Sequence, residues 1–253
     1  MKKLFMKPRA LNKKGEPELT TITNNTPFAI REAFKSLYTN VLYLNIEDKC
    51  KKIAVTSAYS GEGKSCVSAN LGITYALNSE EKRVLLIDVD MRQPKLAKLF
   101  SVDRKSHGLS EYLAGIDDTP NFIDIPEYKL TLLTSGATNV NPTKLSASSK
   151  MTELVKMCEE RFDCIIFDTP PVTVVTDAIH LSNNVNGYII STKADYSNVN
   201  GVGECIDILN RTGAEIFGVV LTSLKLKSNV RGKNGKYMSR YGGKYSYIQE
   251  ESK

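Results

Sequence analysis

Histidine is scarce in this sequence and cysteine is odd in number, and both facts narrow the chemistry open to it. The two histidines, His107 and His180, lie on separate segments and match no metal-site or catalytic-triad spacing, so they read as structural. The five cysteines (Cys50, Cys66, Cys158, Cys164 and Cys205) show none of the close pairs that hold zinc. Reduced thiols in a cytoplasmic chain are the expectation. Long apolar runs are also missing. The opening Met1-Lys-Lys-Leu-Phe-Met-Lys7 is too short in its apolar part for an export signal or a membrane span, so a role at a membrane is expected to come through a partner. There is no internal repeat. Finally, the body of the chain has little net charge. In residues 225–253, eight Lys and Arg side chains against Glu250 and Glu251 account for the whole formal surplus of +6. A near-neutral body speaks against a nucleic-acid-binding face.

What is present belongs to a soluble globular protein: 253 residues, 41% hydrophobic and 25% charged, enough for one α/β domain with a large core. The organising stretch is Ala58-Tyr-Ser-Gly-Glu-Gly-Lys64-Ser65. A β-rich segment over residues 52–57 runs into it. Out of it come residues 66–78, where Val67, Leu71, Ile73, Ala76 and Leu77 recur near helical spacing. Strand, Gly-containing turn ending in Lys-Ser, then helix is the layout of a phosphate-binding loop. Such a turn aims backbone N–H groups and a helix N-terminus at one point, which suits a polyphosphate. Ser60, Gly61, Glu62, Gly63, Lys64, Ser65 and Cys66 are therefore the candidate nucleotide contacts. Lys64 would reach the β- and γ-phosphates of ATP and Ser65 would offer its hydroxyl to Mg²⁺. Cys66, at a helix start, reads either as a thiol of lowered pKa or, more simply, as a small buried residue.

Residues 1–27 are polar and carry Pro8, Pro17 and Pro27, which predicts an extended or mobile arm. Over residues 28–46, Ile30, Phe34, Leu37, Val41 and Leu44 recur with a helical period, giving a helix that either packs on the sheet or forms an interface. Strands are expected at residues 84–88, 130–134, 163–168, 187–191 and 216–221. Helical segments fall between them, over residues 94–100, 109–113, 142–161 with a break near Ser148, and 199–211. This alternation, with mostly apolar strands, predicts a doubly wound, mainly parallel α/β sheet with helices on both faces, the P-loop NTPase architecture. The body is assigned to residues 28–226. Residues 227–253 have few aliphatics but contain Tyr237, Tyr241, Tyr245 and Tyr247, and read as a tail unable to fold alone.

Three strand ends carry groups suited to nucleotide chemistry: the loop after Ser57, Asp88 with Asp90, and Asp168. Asp88 and Asp90 share a face at the two-residue period of an extended chain. Magnesium takes hard oxygen ligands and is satisfied by one or two carboxylates plus phosphates and waters. Ser65, Asp88 and Asp168 are its candidate ligands. Arg92 would pair with phosphate or brace Asp90.

Together these segments resemble the bacterial tyrosine kinases (BY-kinases) that regulate capsular and exopolysaccharide synthesis. Ser60-Gly-Glu-Gly-Lys-Ser65 resembles their Walker A motif. Leu85-Leu-Ile-Asp-Val-Asp-Met-Arg92, followed by Pro94 and Leu96, resembles the A′ motif, and Ile165-Ile-Phe-Asp-Thr-Pro-Pro171, followed by Asp177, resembles Walker B. The tyrosine-rich tail is similar to the family's autophosphorylation cluster. The resemblance implies ATP- and Mg²⁺-dependent self-phosphorylation in trans within a ring of subunits. It also implies activation by a membrane chain-length protein that draws the kinase to the inner face of the membrane, and reversal by a cognate tyrosine phosphatase. Lys64, Asp88, Asp90 and Asp168 would be catalytic, with Asp88 receiving the tyrosine proton. The family's interface motif Glu-x-x-Arg-x-x-Arg stands here as Glu32, Lys35 and Tyr38, and Thr222 stands where many relatives have Asn near the adenine. Two other readings compete: a partition- or division-site ATPase switch, which would carry a lysine where Tyr59 stands, and a nucleotide-binding adaptor without activity.

Overall fold

Unbroken apolar runs become strands buried on both faces. The computed structural model describes residues 21–23, 25–79, 82–103, 107–137 and 140–224. Among these, strands β1 (Lys51–Ser57), β2 (Val84–Asp88), β3 (Ile123–Ile125), β4 (Leu130–Leu133), β5 (Cys164–Asp168), β6 (Gly187–Lys193) and β7 (Ile216–Thr222) form one seven-stranded sheet in the order β3-β4-β2-β5-β1-β6-β7. Every neighbouring pair is parallel except β3 with β4. The doubly wound expectation is met. β3 was not expected: three residues between Pro120 and Pro126 offer no periodic signal, and the strand exists because it pairs with β4.

The two-residue period of β2 divides the core. Leu86 joins Ile53, Ile166, Leu71, Ile73 and Tyr75 on one face, while Leu85 and Ile87 join Ile165, Phe167, Leu154 and Leu209 on the other. Helix α2 (Lys64–Leu77) lies on the first face beneath α1 (Phe28–Leu42), and this double cover buries all but two of its residues. On the second face lie α4 (Leu109–Ala114), α5 (Pro142–Ser146), α6 (Ser149–Glu159) and α7 (Val199–Arg211); α3 (Leu96–Leu99) is a single turn on the first.

Local signals set the ends. Asn141 accepts a hydrogen bond from Thr143 N at 3.0 Å with Pro142 in the first turn, which starts α5. Ser148 is extended and separates α5 from α6, the break expected there. Asn198 accepts from Gly201 N at 2.6 Å and starts α7 at the expected residue. Helix α1 departs from expectation. It ends at Leu42 rather than residue 46, and only Val41 is buried. Its first turn leaves Phe28 and Ile30 about half exposed, at 52% and 46%, because only the second half of the helix meets the core. There Tyr38 sets its ring edge-on to Tyr75 at 5.1 Å.

Leu71 is fully buried in α2 against the sheet. Leu71→Ala is expected to destabilise the domain by about 2–5 kcal/mol through a cavity that rigid β1 and β5 cannot fill. Urea unfolding of the full chain would show it as a lowered midpoint at constant slope.

Candidate active site

Strand β1 lies between β5 and β6, and its carboxyl end delivers the turn at residues 58–63 to the middle of the sheet edge. Gly61 (φ 86°) and Gly63 (φ 94°) adopt left-handed backbone, which side chains disfavour. Gly63 then caps α2. The loop is held from beneath by groups far away in sequence. Glu62 is fully buried, and its carboxylate accepts from Tyr59 N at 2.7 Å and from the Ser197 hydroxyl. Its carbonyl accepts from Ser191 Oγ at 2.7 Å and Thr222 Oγ1 at 3.0 Å. The Tyr196 hydroxyl donates to Ser60 O at 3.1 Å, and Ser60 Oγ donates to Gln93 Oε1 at 3.3 Å. Glu62 thus turns its side chain inward, leaving only its backbone toward a ligand. Thr222, expected near a base, instead directs its side chain at the phosphate loop. The role of Ser191, Tyr196 and Ser197 was not legible in the sequence, since no spacing links them to the loop.

The acidic residues come together through sheet register. Asp88 in β2 lies directly opposite Asp168 in β5. Asp168 Oδ1 accepts from Ser68 Oγ of α2 at 3.1 Å. Asp88 Oδ2 accepts from Lys95 N at 3.2 Å and Leu96 N at 3.0 Å, the amides that open α3. Asp90 Oδ1 accepts from Gln93 N at 3.0 Å, and Asp90 N itself donates to Asp168 O at 3.2 Å. Lys64 and Ser65, from the first turn of α2, are buried beside them. Burial pushes the Asp168 carboxyl up to about 6, against the pull of the Lys64 ammonium. Burial, with the neighbouring Asp168, raises Asp88 well above the usual carboxylate range. Burial lowers Lys64, opposed by Asp168 and Asp90.

Two buried carboxylate oxygens, Asp88 Oδ1 and Asp168 Oδ2, have no hydrogen-bond partner among the described residues. Buried polar atoms are ordinarily paired, so these two fit a cation or its waters. No group of three His, Cys, Asp or Glu among the described residues converges tightly enough to hold a metal unaided. That suits Mg²⁺, which takes most of its ligands from phosphates and waters.

One expectation changes on contact with the structure. Arg92 is held chiefly by Asp177, and Asp90 acts on it only as a nearby charge. Its Nε donates to Asp177 Oδ2 at 2.9 Å and one terminal nitrogen to Thr143 Oγ1 at 2.8 Å, while Thr143 Oγ1 donates to Asp177 Oδ1 at 2.6 Å. Cys66 is half-buried, and burial raises its thiol, overriding any lowering by the helix terminus. In α1, Lys35 pairs within the helix to Glu32 at 2.8 Å. Thr21 and Ile22, at the end of the expected arm, bond to Tyr128 (2.9 Å) and Asn70 (2.6 Å). Tyr237, Tyr241, Tyr245 and Tyr247 lie outside the described residues. His107 pairs with Asp117 at 2.9 Å on the surface, and His180 lies in a 3-10 turn over Ile179–Asn184.

A phosphate-binding loop on the central strand, with carboxylates ending the neighbouring strands, defines a P-loop NTPase. The sequence matches the family described as "ParA: NUBPL iron-transfer P-loop NTPase" over residues 49–250. It is 33% identical over 216 residues to the "Putative tyrosine-protein kinase CapB" of Staphylococcus aureus, covering 84% of this chain and 90% of that protein. It is 34% identical over 199 residues to the "Tyrosine-protein kinase CpsD" of Streptococcus pneumoniae, covering 77% and 87%. The kinase domain of the Escherichia coli tyrosine kinase ETK superposes with a TM-score of 0.73 at 26% identity, over 93% of this chain and 90% of that one. The chain belongs to the bacterial protein-tyrosine kinases. No helix among the described residues is long and apolar enough to cross a membrane.

Because the Asp168 carboxyl is raised from 3.8 to about 6, its stabilising contribution is fully present below about pH 3.8 and lost as pH rises through about 6. Asp168→Asn is therefore expected to raise the unfolding midpoint of the nucleotide-free chain at pH 7.5 and to flatten its fall between pH 4 and 7. Urea titrations of both proteins across that range, without metal, measure it.

Proposed function

We propose that this chain is an ATP-dependent autokinase that phosphorylates Tyr237, Tyr241, Tyr245 and Tyr247 of a second copy, and that it regulates capsular or exopolysaccharide synthesis. The observation that carries the reading is the facing pair Asp88 and Asp168, each with a free buried oxygen, beside Lys64 on a body of the tyrosine-kinase family. In this reading residues 28–226 are the kinase body, residues 1–27 its arm and residues 227–253 the substrate tail.

Backbone amides of residues 60–66 and the Lys64 ammonium hold the β- and γ-phosphates of ATP. Ser65 and the free oxygen of Asp168 would hold Mg²⁺, with Asp88 beside it, and the ion would supply neutralisation of phosphate charge. The acceptor phenol oxygen attacks the γ-phosphorus, the bond to the β–γ bridging oxygen breaks, and ADP leaves. Asp88 is the base. Its Oδ2 is fixed by two amides, so Oδ1 is left for the phenolic proton, and its raised pKa makes it a better acceptor than an exposed aspartate. Asp90 would orient the metal's waters beside Asp168. Transfer of this kind depends on positioning and charge neutralisation, which the site supports.

Tyr59 favours the kinase over the ATPase switch. It stands where partition ATPases carry a lysine, and its ring lies against α7, where a Cβ at Gly201 would come within 2.5 Å of it. The half-exposed apolar first turn of α1 supports self-assembly, although Tyr38 is turned into the domain. The activator is proposed to be a membrane protein acting in trans, as the family resemblance implies. A phosphatase would reset the tail.

Incubation with ATP and Mg²⁺, with or without an activator peptide, followed by phosphotyrosine blotting, tests the reading. Lys64→Met and Asp88→Asn are each expected to lower the signal by at least about 100-fold, with Asp88→Asn still binding ATP. Truncation after Leu226 removes the signal. Phosphate release without phosphotyrosine would favour the switch. Each phosphate adds about −1.5 to −2 charges to the basic tail, so a tail peptide phosphorylated at these tyrosines is expected to inhibit self-phosphorylation at the acidic site less than the unmodified peptide does.

A further inference from the structure

At the end of the sheet away from the nucleotide loop, β2 and β4 begin side by side, with Val84 opposite Leu130. A cleft of about 400 Å³ opens there, lined by the cations Lys82, Arg83, Lys129 and Arg161 and by one carboxylate, Asp124. Asp124 accepts from Thr131 Oγ1 at 3.0 Å. Lys82, Lys129 and Arg161 form no salt bridge among the described residues, and Arg83 approaches Asp163 only at 3.7 Å. The backbone that presents them is fixed: Arg83 N donates to Asp163 Oδ2 at 2.8 Å and Asp163 N to Arg83 O at 2.9 Å. The guanidinium of Arg161 lies over Phe122 at 5.2 Å and Phe162 at 5.9 Å, which orients its plane. Lys129 sits in left-handed backbone (φ 53°), a conformation that favours glycine or asparagine.

We propose that this cleft binds phosphotyrosine presented by the tail of a second copy of this chain. The source of the ligand rests on the autokinase reading; the chemistry of the cleft does not. Oxyanion recognition follows from the four cations, and Pro126 and Phe162 give an apolar wall for an aryl ring. A concave cleft of this size admits a single phosphorylated side chain, where a flat anionic bilayer would meet only its rim. Charge selects the state of the tail. Residues 225–253 carry +6, so the unmodified tail is repelled from the cleft and attracted to the acidic catalytic site. Each phosphate reverses that preference locally. The enzyme would thereby take substrate at one end of its sheet and hold product at the other.

The test uses the full chain carrying Lys64→Met, so that its own tail stays unmodified. It is titrated by fluorescence anisotropy with a labelled synthetic peptide of residues 236–253 bearing phosphotyrosine at positions 241, 245 and 247. The same peptide without phosphate, and vesicles of phosphatidylglycerol, form the comparison arms. The modified peptide is expected to bind and the unmodified one not, and saturating ADP is expected to leave binding unchanged. Lys82→Ala combined with Lys129→Gly is expected to weaken binding by about tenfold. Glycine relieves the left-handed strain, so this variant is expected to unfold at no lower urea. Equal affinity for the double variant, displacement by ADP, or binding to vesicles alone would overturn the proposal. Self-phosphorylation without peptide binding defeats the cleft and leaves the kinase reading standing; peptide binding without self-phosphorylation does the reverse.

Discussion

Two carboxylates forced side by side in a dry interior are the constraint on which the rest of this molecule depends. The register between β2 and β5 sets Asp88 against Asp168, and both are fully buried. Leaving like charges unneutralised in such surroundings costs several kcal/mol per ion. The fold answers from three directions. The first turn of α2 brings the ammonium of Lys64, the start of α3 brings two amides to Asp88, and Ser68 brings a hydroxyl to Asp168. None of these completes the neutralisation. Both acids are left with raised proton affinity, a demand that a cation would meet.

The loops around this centre are tied to one another as well as to the sheet. Glu62 joins the phosphate loop to the segment after β6. Ser60 and Gln93 join it to the segment after β2. Arg92, Asp177 and Thr143 tie that segment to the stretch after β5 and to the start of α5. A forked guanidinium suits this last junction because its planar donors meet the carboxylate and the hydroxyl in fixed directions, where a lysine offers a point charge. Strand ends that would otherwise move independently are thus coupled.

The sequence disclosed the scaffold because the signals were local. Gly61, Gly63, Lys64 and Ser65 fall within one short turn, and Asp88 and Asp90 follow an apolar run. The departures arise where long-range contact decides. β3 is a strand only because β4 lies beside it. The apolar period of α1 is real, but whether Phe28 and Ile30 find cover depends on the reach of the sheet beneath. Arg92 was placed correctly on its loop and wrongly as to partner, because Asp177 lies far along the chain and nothing in either residue announces the other. Tyr196 and Ser197 carry no motif at all.

The contact between Gly63 and Thr222 has a consequence for heredity. A Cβ built at position 63 would meet the Thr222 hydroxyl at 3.0 Å and its methyl at 3.1 Å, so the branched side chain fills space that only a glycine leaves open. The lock works in one direction: a side chain at 63 would meet both this crowding and a left-handed backbone (φ 94°), whereas position 222 can shrink with nothing else altered.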